Sequence, residues 1–202
     1  MLTDAAWFVT DLGDQAVLLP LAVIVAVAFA CLGWWRGAFG WTLAIGGTFA
    51  VMLVLKLGLL ACGRTVLDGQ IASPSGHTAA SAAVYGGLLA MCGRALAGRG
   101  RWAAVHAAGA AAIAATLAAV IGLSRIGLSA HTVSETVLGG AVGTAGALAA
   151  LVLTGPPPAS LRVRYLLVVV AAAVAGLHGF HLQAETAVRQ ISLSLQAWLN
   201  CS

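Results

Sequence analysis

The chain has 202 residues, 61% of them hydrophobic and 8% charged, with a mean hydropathy of +1.00. A water-soluble domain carries roughly 25% charged residues to cover its surface, so composition excludes that class and places the chain in a membrane. The formal charge of +4 rests on ten Lys and Arg spread between apolar runs, which excludes a basic nucleic-acid-binding face and points to sidedness across a bilayer.

Residues 1–15 contain no Lys or Arg but hold Asp4, Asp11 and Asp14, the reverse of the positive start of a secretory signal. A short amphipathic helix is expected over 2–12. A spanning helix needs about 20 apolar residues, and six stretches meet or approach that: Ala16–Trp35, Ala38–Cys62, His77–Gly93, Trp102–Ser124, Thr132–Thr154 and Tyr165–His181. Between them stand turn-forming residues such as Arg36-Gly37, Gly98-Arg99-Gly100-Arg101 and Gly155-Pro156-Pro157-Pro158. The expected fold is all-α: one polytopic bundle over 1–202, with about six transmembrane helices and short interfacial helices at the termini. Gly139, Gly143 and their small neighbours permit close helix packing. The tail 184–199 repeats Ala184, Val188, Ile191, Leu195 and Trp198 at helical spacing, as an amphipathic helix on the outer leaflet or a packed cap would.

Six spans put Arg36, Arg94, Arg99, Arg101, Arg162 and Arg164 on one side. Arg64, Arg125, Arg189 and all six acids fall on the other, with Lys56 at the membrane edge. Arg-rich short loops stay in the cytoplasm, so both termini and the loops 63–76 and 125–131 are expected outside. The four cysteines, Cys31, Cys62, Cys92 and Cys201, have no metal-ligand spacing. They read as apolar filling, with a Cys62–Cys201 bridge on the outer face as the alternative.

Ionisable groups at a membrane need a reason, because burying them is costly. Four features converge on the outer side: Lys56 with Arg64; Ser73-Pro74-Ser75-Gly76-His77; Ser124-Arg125; and His131 with Glu135. Alone, each has an ordinary reading: a snorkelling Lys, a helix start, a packed His. Together they suit phosphoryl chemistry. Pro74 restricts the backbone and Gly76 lets it approach a ligand closely. Ser75 supplies a hydroxyl, and His77 is placed to protonate a leaving oxygen. Arg125 can clamp a phosphate through two parallel donors. His131 can attack phosphorus, and Glu135, four residues on, would share its face if the fifth span is already helical there and would orient the imidazole.

Pro74-Ser75-Gly76-His77, and Ser124-Arg125 followed after five residues by His131 and after three more by Glu135, resemble two signatures of the type 2 phosphatidic acid phosphatases, relatives of the vanadium haloperoxidases. Lys56 and Arg64 resemble the remaining signature, with one extra residue between them and Thr65 where the family has Pro. The resemblance covers about 56–140. It implies a metal-independent, cofactor-free lipid phosphate phosphatase working through a phosphohistidine. Lys56, Arg64, Ser75, Gly76 and Arg125 would bind phosphate, with His77 as general acid, His131 as nucleophile and Glu135 orienting His131. Glu135 replaces the usual Asp. The extra residue would rotate Arg64 about 100° on an ideal helix. The partners implied are the bilayer and a lipid phosphate, with no nucleic acid; the site would face the periplasm of a bacterial inner membrane. Undecaprenyl diphosphate, phosphatidic acid and phosphatidylglycerol phosphate fit equally. The alternatives are a lipid phosphotransferase using the same site and a non-catalytic lipid-binding subunit. His106, His178 and His181 match no signature and read as packing or interfacial residues.

Overall fold

The computed structural model describes residues 2–66, 73–97 and 103–199, and every regular element among them is helical. The helices are α1 (Leu2–Asp11), α2 (Gln15–Cys31), α3 (Trp35–Val66), α4 (Gly76–Ser81), α5 (Gly87–Ala97), α6 (Ala103–Gly127), α7 (Val133–Thr154), α8 (Val163–Leu177) and α9 (Ala184–Leu199). A π-helical turn over Ala82–Gly86 joins α4 to α5 without interruption.

Five helical stretches are long and apolar enough to cross a membrane: Thr3–Cys31, Trp35–Cys62, Gly76–Leu96, Val105–Gly127 and Val133–Thr154. Phe39, Leu43, Val54, Val137 and Val152 are exposed along them, as a lipid-facing surface requires when no water has to be met. The protein is an all-α membrane helical bundle.

The boundaries differ from the expected spans where local chemistry intervenes. The short helix over 2–11 and the first span are separate, as expected, because Asp14 caps the N-terminus of α2 with its side chain accepting from the Ala16 amide. Gly33, at φ 71°, ends the first expected span early: the Trp34 amide closes onto the Phe29 carbonyl, a left-handed C-terminal stop, and α3 starts at Trp35. The expected sixth span is shorter than its pattern suggested. α8 has 15 residues, about 22 Å at 1.5 Å per residue, against a hydrocarbon core of roughly 30 Å. It stops because His178 turns to ψ 135° and Gly179 is left-handed.

Small residues bring the central helices together. A Cβ on Gly143 would strike the Ala79 carbonyl, one on Gly146 the Thr48 hydroxyl, and one on Gly86 the Ala114 backbone. Close backbone approach of this kind replaces the hydrophobic drive that lipid removes. Around it, Trp41, Phe29, Leu18, Leu21 and Leu88 are fully buried, and the Trp41 indole donates to the Ala22 carbonyl at 2.9 Å, tying α3 to α2.

The two ends of α7 carry opposite chemistry. At its C-terminus, Arg36 donates to the Leu153 carbonyl at 3.3 Å and Arg94 to the Leu151 carbonyl at 3.1 Å, where guanidinium groups satisfy both the open carbonyls and the helix dipole. At its N-terminus stand His131 and Glu135. The 22 residues between span about 33 Å.

Candidate active site

The cluster is assembled around the start of α7. Thr132 caps that helix: its hydroxyl accepts from the Glu135 amide at 3.3 Å, and Glu135 Oε2 accepts from the Thr132 amide at 3.1 Å. This reciprocal capping box folds the Glu135 side chain back toward the preceding residue. His131 Nδ1 therefore meets the same Oε2 at 3.0 Å. His131 lies before the helix, so the pair forms by a reach-back of the cap and not by sharing a helical face, as the i, i+4 spacing had suggested. A carboxylate only accepts, so Nδ1 carries the proton and Nε2 holds the lone pair. That Nε2 is buried without a hydrogen-bond partner, as are Arg125 Nε, Ser73 Oγ and Ser81 Oγ.

Glu135 also anchors the second motif. Its Oε1 accepts from the Ser73 amide at 2.8 Å, and its backbone carbonyl accepts from the Ser75 amide at 3.0 Å. A Cβ on Gly139, one turn further along, would collide with the Ser75 carbonyl, so glycine is what lets the 73–76 segment lie on α7. Ser75 then caps α4, its hydroxyl accepting from Thr78 Oγ1 at 2.9 Å and from the Thr78 amide at 3.4 Å. Gly76 faces Lys56, whose Cε would lie 3.4 Å from a Cβ added there.

Two further acids complete the site, and neither was anticipated. Lys56, 7% exposed, donates to Glu185 Oε1 at 3.1 Å from the first turn of α9. Asp14, 5% exposed, presents Oδ2 to His77 Nε2 at 3.6 Å. Lys56, His77 and His131 thus each face a carboxylate, and only the last pair was legible as a pair. Arg125 reaches Thr10 Oγ1 at 3.4 Å, so the end of α1 and the 12–14 turn form one wall of the cluster.

Electrostatics agree with this placement. Burial pushes the His131 imidazole below its ordinary value; the Glu135 hydrogen bond and the Glu185 charge oppose that, and Lys56 and Arg125 add to it. At Glu185 burial pushes the carboxyl up, but Lys56, by charge and hydrogen bond, with His131 and His77, brings it net below the ordinary value. A cavity of about 270 Å³ opens beside these groups, lined by Asp14, Gln15, Lys56, Gly76, His77 and Glu185 and by Leu19, Thr48, Phe49 and Met52. His131 and Arg125 lie outside that lining. Among the described residues no group of three His, Cys, Asp or Glu is placed to hold a metal ion.

Of the residues expected in the site, Lys56, Ser75, Gly76, His77, Arg125, His131 and Glu135 lie at one end of the bundle. Arg64 falls in the last turns of α3, its side chain outside the described residues, as are Asp68, Arg99, Arg101 and Cys201. Cys62 is disulfide-bonded, whereas Cys31 and Cys92 are free, which corrects the reading of Cys62 as apolar filling. His178 donates to or accepts from no signature residue: its Nε2 lies 3.1 Å from the Phe8 carbonyl, and His181 Nε2 lies 2.9 Å from Asp11. Both tie α1 to the α8–α9 connection. The capping box Thr132-Val133-Ser134-Glu135 was readable in sequence. Asp14 and Glu185 had no such signal, since each is far along the chain from its partner.

No protein-family model matches the chain, and no solved structure matches it. The chain is similar to the "Uncharacterized 22.5 kDa protein in cps region" of Klebsiella pneumoniae, 32% identical over 156 residues that cover 76% of this chain and 72% of that protein.

Proposed function

The chain belongs to the family of the Klebsiella pneumoniae 22.5 kDa cps-region protein, and we propose that it is a metal-independent membrane lipid phosphate phosphatase of the type 2 phosphatidic acid phosphatase kind. One observation carries the reading: a buried imidazole, His131, whose Nδ1 is held by Glu135 and whose Nε2 has no hydrogen-bond partner, as is also true of Arg125 Nε. A packed structural histidine has no use for a buried lone pair left open, which costs about 1–3 kcal/mol. A nucleophile requires it.

The chemistry follows from these groups. His131 Nε2 attacks phosphorus, forming a P–N bond as the P–O bond to the lipid breaks, and His77 gives a proton to the departing oxygen. Water then attacks the phosphohistidine, passing a proton to His77, and the P–N bond breaks to release phosphate. Lys56 and Arg125 neutralise the transferring oxygens. The cavity is lined by Lys56 and His77 and also by Leu19, Phe49 and Met52, a mixture that suits a polar head group continuous with an apolar chain.

The site faces outward in this reading, in the inner membrane of a bacterium with both termini outside. Two arguments support it. Arg36 and Arg94 gather at the far end of α7, as cytoplasmic arginines do. The disulfide at Cys62 belongs to an oxidising compartment.

The test is phosphate release in detergent from polyprenyl diphosphate, phosphatidic acid and phosphatidylglycerol phosphate, with an acid-quench assay for phosphohistidine. Wild type releases phosphate with EDTA present, and His131→Ala abolishes release while keeping its melting temperature. Near-wild-type release by His131→Ala removes the nucleophile. Transfer of phosphate to an added lipid or sugar, without free phosphate, makes the protein a phosphotransferase.

A further inference from the structure

We infer that Asp14, from the turn between α1 and α2, is the positioning carboxylate of His77; this rests on the phosphatase reading above. Asp14 lies outside every stretch that carries the family resemblance, yet the turn holding it is built against the second motif. The Tyr85 hydroxyl, in the π-helical turn, donates to the Leu12 carbonyl at 2.9 Å. Beside it, Gly13 sits where a Cβ would lie 2.9 Å from Ser81 Oγ and 3.3 Å from His77 Cβ. A side chain at 13 would lift the turn off His77. Tyr85 lies in the π turn, an irregularity frequent at functional sites.

The two oxygens of Asp14 divide their work. Oδ1 accepts from the Ala16 amide at 2.7 Å and from the Leu182 amide at 3.2 Å, which caps α2 and pins the chain entering α9. Oδ2 is turned to His77 Nε2. A carboxylate held by two backbone amides and buried to 5% exposure cannot swing away, so it fixes the imidazole as Glu135 fixes His131. At 3.6 Å the contact is longer than a hydrogen bond, a separation that commonly tightens when substrate arrives. With Nε2–H held by Asp14, Nδ1 is the nitrogen that gives its proton to the leaving oxygen and recovers one from the attacking water. The α2 cap alone accounts for Oδ1, not for Oδ2.

A leaving-group comparison separates positioning from capping. An alkoxide needs a proton as it departs; a nitrophenolate does not. Single-turnover formation of phosphohistidine is measured on full-length protein in detergent with phosphatidic acid and with p-nitrophenyl phosphate. Asp14→Asn and Asp14→Ser both keep an N-capping side chain and remove the charge. Each is expected to slow the phosphatidic acid reaction about tenfold or more and the nitrophenyl reaction less than about threefold, with His77→Gln showing the same asymmetry more strongly, near a hundredfold. Equal losses on both substrates, in both Asp14 variants, would make Asp14 a structural cap and overturn the assignment, as would wild-type rates on both. A wild type that forms no phosphohistidine with either substrate defeats the phosphatase reading and this one with it. An active wild type with indifferent Asp14 variants defeats this one alone.

Discussion

Glu135 performs three tasks with one carboxylate: it closes the α7 capping box, holds His131 Nδ1, and anchors the Ser73 amide. A glutamate at position 135 has a physical use, because the box needs a side chain long enough to return from the third helical position to the cap. The orienting group and the helix start are thereby one device. His131 itself is held below the ordinary imidazole range, first by burial. In the proposed mechanism His131 must be neutral to attack, so its competent fraction grows as pH rises through its pKa. The acid limb of kcat/KM should therefore fall below about pH 6.5, the ordinary histidine value. A limb measured above it would mean that the Glu135 carboxylate outweighs burial.

At the scale of elements, the structure chooses between the two readings that the pattern of α9 left open. Its 3.6-residue stripe suggested a helix lying on the outer leaflet or a cap. The structure packs it on α3, with Glu185 on Lys56 and Ser192 buried, while Ile191, Leu193 and Trp198 stay exposed. Ala184, Val188 and Leu195 of the stripe are partly buried, and the charged residue adjacent to it, Glu185, adds an ion pair that hydrophobicity could not show. Glu185 occupies the cation that the proposed chemistry assigns to a phosphate oxygen, so substrate has to displace it. Glu185→Gln should strengthen competitive inhibition by inorganic phosphate roughly two- to fivefold, the range of a partly exposed ion pair. Unchanged or weaker inhibition would show that Glu185 helps to hold the anion site together. The contacts of the α1–α2 turn were unforeseen, because nothing in residues 10–14 announces that Thr10 and Asp14 reach Arg125 and His77.

Across the whole molecule, the two ends of α7 carry different charged groups, with His131 and Glu135 at one and Arg36 and Arg94 at the other. The proposed outward site makes a direct prediction in a background with Cys31 and Cys92 replaced. Ala130→Cys, exposed in the turn before α7, should react with an impermeant thiol reagent on intact cells. Ser160→Cys, exposed in the turn after it, should react only after permeabilisation. The opposite pattern reverses the orientation. Composition and apolar run length were enough to make the all-α membrane bundle legible, because a bilayer admits few ways to satisfy a backbone and about 20 apolar residues are a local property. The site motifs at 73–77 and 124–135 were legible for the same reason: their chemistry lies within a dozen consecutive residues. The pairing of Lys56 with Glu185 and of His77 with Asp14 was settled by packing. Those contacts join residues 63 to 129 positions apart, and no periodicity or spacing encodes which helix ends meet once small residues have drawn the bundle closed.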